Sequence, residues 1–291
     1  MSVFHFFLAL LAIMIWGFNF VTIKLGLDGA SPLLFGFARF FLTSIPAVFF
    51  VKRPSVPFKM VLSYGLVMFA FQFSLLFMGI DAGVTPGTAS LLLQLQVLFA
   101  VLLAAVFLGE KLRPWQISGI LVSFTGIALV ALHANGNMSW LGFSLVIGAA
   151  VSWGVGNVIT KRMGQIDMFS LVVWGSFIAW PPLLILALIT EGKDQVISTF
   201  QNLNWLSGGS ILYIAYLATL LAFTIWNRLL RLYPLGTIVP FTILAPIFGI
   251  LSSVLVLDEP LQSWKIWAAI LVTLGLCINL FGPKIVLGKN K

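Results

Sequence analysis

The sequence predicts an all-α integral membrane protein of ten transmembrane helices, and three observations carry that reading. Hydrophobic residues make up 60% of the 291 positions and charged residues 8%, with a mean hydropathy of +1.11, whereas soluble domains carry about 25% charge. Charges are excluded from long blocks such as 60–80, 114–132, 168–190 and 232–257, each of which meets the roughly 18 apolar residues needed to cross hydrocarbon. The sequence also begins again half-way along, so the ten spans divide into two groups of five.

Taken in order, the spans fall at about 5–26, 32–51, 60–80, 86–108, 114–132, 139–160, 168–189, 208–230, 235–257 and 264–282. The first runs apolar to Lys24 with no positive leading region and no small-residue cleavage site, so it is expected to stay uncleaved. Span two ends at Lys52, Arg53 and Lys59, span four at Lys111 and Arg113, and span six at Lys161 and Arg162. Span eight ends at Arg228 and Arg231, and span ten at Lys284, Lys289 and Lys291. Between spans seven and eight lies the one long connection, where Gln201, Asn202 and Asn204 beside Trp205 predict a short interfacial segment.

Charge orients the chain. Twelve of the sixteen Lys and Arg residues follow even-numbered spans, the opposite loops hold only Lys24, Lys193 and Lys265, and Arg39 lies within span two. The positive-inside rule then predicts that both termini are cytoplasmic. This distribution accounts for the net charge of +8 without a nucleic-acid partner. The single Cys277 forbids an intramolecular disulfide.

Trp16, Gly17 and Lys24 correspond to Trp153, Gly154 and Lys161 at an offset of 137, and Pro46 to Pro181 at 135. Glu110, Leu112, Trp115 and Gly126 answer Glu259, Leu261, Trp264 and Gly275 at 149, as Gly87-Thr88 answers Gly236-Thr237. An odd number of spans per repeat turns the second repeat upside down, so 1–135 and 136–291 are expected to form inverted five-helix halves. Such halves are the common basis of alternating access, in which one bundle rocks against the other around a central site.

Several stretches carry a family resemblance: WGFNF from Trp16, ARF in span two, GTASLLLQLQ from Gly87, GEKL from Gly109 and DEPL from Asp258. With them the chain resembles, over essentially its whole length, the ten-helix exporters of the drug/metabolite transporter superfamily, EamA type. The stretches in spans one, two and four, with VKRPSVP after span two, are more narrowly similar to bacterial exporters of O-acetylserine and cysteine. The resemblance implies efflux of small serine- or cysteine-like metabolites across the bacterial inner membrane. An exporter of another amino acid, a drug or a lipid-like solute is the alternative within transport, and a membrane structural or sensor subunit the alternative outside it.

Polar groups at membrane depth are the candidate substrate contacts, because hydrocarbon offers them no partner. They are Asn19, Arg39, Gln72, Gln94 and Asn157, with Trp174, the counterpart of Arg39 in the second repeat, expected to face it as a cation-binding aromatic. Arg39 lies seven residues into its span, about 10 Å deep, where a guanidinium is able to hold a carboxylate bidentately; snorkelling, or pairing with Asp28 or Asp81, is the plain alternative. For Asn19, Gln72 and Asn157 the alternative is joining helices. Gln94 and Gln96 point about 200° apart on an ideal helix, and Gln96 shares a packing stripe with Ala100 and Ala104, so Gln94 is the one expected to face a cavity. Trp16, Phe71 and Trp153 are candidate cavity-lining aromatics, Phe73 beside them, and core filling is the alternative. Pro46 and Pro181 are expected to break matched helices. Glu110 and Glu259, at helix ends, are expected to satisfy nearby backbone or Lys groups.

Other classes fit poorly. His5 and His133 sit at opposite faces, no carboxylate lies deep in a span, and no phosphate-binding loop is present, so neither an enzyme nor a metal site or cofactor is expected. The expected partners are the small-molecule substrate and the lipid bilayer, with a homodimer left open.

Overall fold

The computed structural model describes residues 1–133, 139–233 and 235–287, without the side chains of 235–236 and 283–287. The side chains of Lys284, Lys289 and Lys291, and the repeat boundary expected at 135/136, lie outside the described residues. Among the described residues, ten helices are long and apolar enough to cross a membrane: α1 Val3–Leu27, α2 Pro32–Phe49, α3 Phe58–Asp81, α4 Pro86–Leu108, α5 Pro114–Leu132, α6 Trp140–Met163, α7 Met168–Thr190, α8 Trp205–Leu232, α9 Val239–Leu257 and α10 Ser263–Gly282. No strand occurs among the described residues. A nine-residue helix, Lys193–Gln201, fills the long connection before α8.

The ends follow from local chemistry. Ser2, Ser31, Ser139, Asp167 and Asn204 accept from the first free backbone N–H groups of α1, α2, α6, α7 and α8. Proline opens α2, α4 and α5, where its missing N–H costs nothing. α4 stops at Gly109 with φ of 68° and α9 at Asp258 with φ of 50°, so the glutamate that follows each stop is turned back in the same way.

Lipid tails are as apolar as leucine, so the helices adhere through close packing of small residues rather than through a drive to leave water. α5 packs along α10 at a crossing of Gly119 and Gly275, where a Cβ on Gly119 would lie 2.6 Å from the Gly275 carbonyl oxygen. α1 packs on α9, with a Cβ on Gly17 only 3.0 Å from the Gly249 nitrogen. α6 packs on α4 in the same manner, with Gly154 against Phe99 and Ala100. α2 pairs with α7, and α3 with α6 as α8 with α1.

The interruptions differ from expectation. α2 does break near Pro46, its α-helical part ending at Ser44 before a single 3-10 turn at Ala47–Phe49. Pro181 and Pro182 do not break α7, which is helical from Met168 to Thr190. Each proline removes one backbone donor, and membrane helices tolerate that loss where packed neighbours hold the helix together. Matched interruptions lie elsewhere. α3 is π-helical over Gly65–Phe71 and α8 over Tyr213–Leu221. α4 breaks between Leu92 and Leu95, and α9 opens with a 3-10 stretch, Val239–Leu244.

Substituting Gly119→Val is expected to destabilise the protein by about 1–3 kcal/mol through overpacking, read as thermal unfolding in detergent. Gly209→Ala, which meets nothing within 4 Å, is the control and is expected to leave the midpoint unchanged or higher.

Candidate functional site

The α2 face that carries Phe35, Arg39 and Thr43 turns inward between α3 and α8. Arg39 is 3% exposed. Its Nη2 donates to Thr219 Oγ1 at 3.0 Å, and its Cζ stands 3.9 Å from the Phe73 ring centroid and 5.4 Å from that of Phe40. Nε and Nη1 are buried without a hydrogen-bond partner, so three of the five guanidinium N–H groups are unused. All eight carboxylate side chains lie among the described residues, and none pairs with Arg39; the expected snorkelling, or pairing with Asp28 or Asp81, is not seen, and Asp28 pairs with Lys24.

One π-helical stretch reaches this residue and the other ends two residues short of its contact. Thr219 lies in the α8 stretch, where its Oγ1 also donates to the Ile214 carbonyl at 2.7 Å, and Phe73 follows the α3 stretch. π-helical turns occur often at functional sites, because the extra residue per turn displaces side chains from the regular register. The two repeat tryptophans flank the group. Trp16 Nε1 donates to the carbonyl of Ala218, next to Thr219, while the Trp153 ring lies 6.2 Å from that of Phe73.

The remaining candidates separate. Gln72, immediately before Phe73, is fully buried with both amide atoms unpaired, and Asn19 Oδ1 is buried and unpaired; no hydrogen bond joins either to Arg39. Gln94 sits at the α4 break and donates through Nε2 to the Thr242 carbonyl in the α9 break at 3.3 Å, so its amide ties the two interruptions together. Asn157 lines a cavity of about 310 Å³ beside α4 and α6, with Val97, Ala100, Ala104, Glu110 and Lys161. Ala100 and Ala104 therefore border open space, beyond the packing role expected of them.

Two aromatic expectations are corrected. Phe71 is 59% exposed on the outer side of α3, because positions 71 and 73 lie about 200° apart on a helix and Phe73 takes the inward one. The rings against Arg39 are those of Phe40 and Phe73, not Trp174, whose Nε1 donates to the Val51 carbonyl at 3.0 Å. Thr219 was not singled out in the sequence; a hydroxyl within an otherwise apolar stretch of span eight was its only signal.

The helix-end glutamates do find backbone and lysine partners. Glu110 pairs with Lys161. Glu259 accepts from the Gly87 N–H, Thr85 Oγ1, Ser253 Oγ and Lys265 Nζ. Burial alone would raise the Glu259 pKa, but donation from Lys265, Ser253 and Thr85 outweighs it and holds the carboxyl below its ordinary value. Glu259 is thus ionised at neutral pH, and this contribution to stability is lost only as pH falls through that depressed value.

The EamA-like transporter profile matches residues 3–132 and again 140–281. The chain belongs to the EamA-like transporter family. It is 38% identical over 285 residues to a probable amino-acid metabolite efflux pump of Salmonella typhimurium, covering 96% of this chain and 95% of that one. The probable amino-acid metabolite efflux pump of Escherichia coli is also 38% identical, over 94% of each chain. A probable terminal-alkyne amino-acid exporter of Streptantibioticus cattleyicolor is 30% identical over 75% of this chain and 73% of its own. A crystal structure aligns over 96% of this chain and 97% of its own with a TM-score of 0.62 at 18% identity, which shows the fold alone. With ten membrane-length apolar helices, this EamA member is a multi-pass membrane protein and a transporter rather than an enzyme.

Replacing Arg39 by Met is expected to leave the unfolding midpoint in detergent unchanged or raised. Removing a charge with one neutral hydrogen bond relieves a desolvation cost of several kcal/mol, while the aromatic contacts return about 2 kcal/mol. A strongly lowered midpoint would make the guanidinium structural.

Proposed function

We propose that this EamA member is a secondary exporter of small amino-acid-like metabolites, O-acetylserine, cysteine or related compounds, across the bacterial inner membrane. Its substrate is held near Arg39, and its two halves, 1–135 and 136–291, are inverted repeats that work by alternating access with both termini in the cytoplasm. The observation that carries this reading is the buried guanidinium with three unused N–H groups and no carboxylate of its own. A carboxylate ligand supplies the missing charge and accepts two parallel hydrogen bonds.

Further support comes from packing and from the relatives. α1 docks on α9 through Gly17 as α6 docks on α4 through Gly154, the exchange of partners that inverted halves require. The names of these relatives, two amino-acid metabolite efflux pumps and an amino-acid exporter, support amino-acid-like cargo, whose shared group is the α-carboxylate. Asn19, Gln72 and Gln94 supply amides near the mid-membrane for the rest of a polar solute, and Asn157 lies on the path that the cavity opens. On the positive-inside rule, the basic residues after the even-numbered spans support a Glu110 end at the cytoplasm and a Glu259 end outside.

The test is uptake of labelled O-acetylserine, cysteine and threonine into inverted vesicles carrying the protein, with cysteamine as the analogue that lacks the carboxylate. Wild type is expected to transport at least one of the three and to reject cysteamine. Arg39→Gln is expected to lose about tenfold or more in apparent affinity, the effect of a hydrogen-bonded charge. Full transport by Arg39→Gln with unaltered affinity would overturn the site, and absence of uptake of all three would overturn the substrate class.

A further inference from the structure

Glu259 is buried, its side chain 6% exposed, and so is its partner Lys265 at 8%. Its four donors come from the start of α4, from α9 and from the start of α10. Lys265 Nζ, at 2.8 Å from the carboxylate, also donates to the Pro260 carbonyl at 3.2 Å. Gly87 permits the approach, since a Cβ there would stand only 3.1 Å from a Glu259 oxygen. Below this cluster the first half of α4 stays docked on α9, with Gly249 against Ser90. Beyond the break at Leu93–Gln94, the second half of α4 packs on α6 instead and lines the cavity with Val97, Ala100, Val101 and Ala104.

The matching end is built on the same backbone and different chemistry. Glu110 follows Gly109 as Glu259 follows Asp258, and each glutamate N–H reaches back to a carbonyl six residues earlier, that of Ala104 or Ser253. At the positions corresponding to Ser253 and Lys265 stand Ala104 and Gln116, which offer the carboxylate no hydroxyl and no cation. Gln116 instead accepts from the Arg113 N–H. The Glu110 side chain is 46% exposed, pairs with Lys161 at the cavity rim, and joins no buried cluster.

From this inequality we infer that Glu259 is a positioning residue for transport: a latch that closes its end of the pathway by holding α4 against α9 and α10, while the weaker Glu110 end rests open. The inference rests on the transport reading, and it adds a resting state. The α4 break is the point about which the two halves of that helix take different partners. Opening the latched end removes four hydrogen bonds to one carboxylate. Because its four donors hold Glu259 ionised, mild acidification does not release the latch.

The test places single cysteines in a Cys277→Ser background, Ser90→Cys beneath the latch and Val101→Cys in the cavity, and applies a membrane-impermeant maleimide to each face of sealed vesicles. With the latch intact, Ser90→Cys is expected to label slowly from the Glu259 face and Val101→Cys readily from the other. Glu259→Gln is expected to speed labelling at position 90 by about tenfold and to slow it at position 101. The milder pair Ser253→Ala with Lys265→Gln, which copies the Glu110 end, is expected to move both rates the same way by less. Rates that stay unchanged would overturn the latch, and so would rates that rise together, since loosened folding exposes both sites. Labelling needs no substrate, so a reciprocal shift upholds the latch even if the uptake experiment fails.

Discussion

Helices in a bilayer gain nothing by hiding leucine from lipid, so the architecture depends on how closely two backbones can approach. Three crossings carry it here: Gly119 with Gly275 between α5 and α10, Gly17 with Gly249 between α1 and α9, and Gly154 with Ala100 between α6 and α4. Each lacks the Cβ that would separate the helices. The first joins the last helices of the two halves, and the other two exchange first and fourth helices between them. Close packing at these points leaves α4 as the helix with two allegiances, its first half on α9 and its second on α6.

Within that frame Arg39 is the costly element. A buried cation in low dielectric is retained only where surrounding groups recover part of its lost hydration. Phe73 and Phe40 present ring faces and Thr219 one oxygen, a shell that stabilises positive charge without neutralising it. A carboxylate in the shell would have cancelled the charge permanently, as Asp28 does for Lys24 at the helix end. The two π-helical stretches bear on this directly, because Thr219 lies in one and Phe73 follows the other.

The spans and their ends were legible in the sequence because length, apolarity, caps and left-handed stops are local properties. Interruptions were legible only in part. A proline names a missing donor, and whether the helix yields depends on its neighbours; α2 yields near Pro46 and α7 does not at Pro181 and Pro182. The break in α4 contains no proline, and its sequence signal was the pair Gln94 and Gln96 in an apolar run. Burial of Arg39, Gln72 and Gln94 was legible from depth alone, but not their partners. Trp174 fails as a neighbour of Arg39 because correspondence between repeats relates equivalent places, not adjacent ones. Phe71 misled because composition does not say which of two rings 200° apart turns inward.

Correspondence between the halves holds best where the backbone alone sets geometry, at Gly109 and Asp258, and weakens where side chains make contact. Arg39 answers Trp174, Ala104 answers Ser253, and Gln116 answers Lys265. Two fully equivalent ends would make both orientations of the pathway equal in energy, and a solute would then meet either face with the same affinity. A buried carboxylate with four donors at one end, against an exposed ion pair at the other, removes that equality. On the inverted-repeat reading the inequality favours the state open toward the cytoplasm, which is the state an exporter must occupy while it waits for cargo. On that reading a hydroxyl and an ammonium group, added to one copy of a shared helix stop, bias the resting state, while the gradient of the solute sets the direction of net flux.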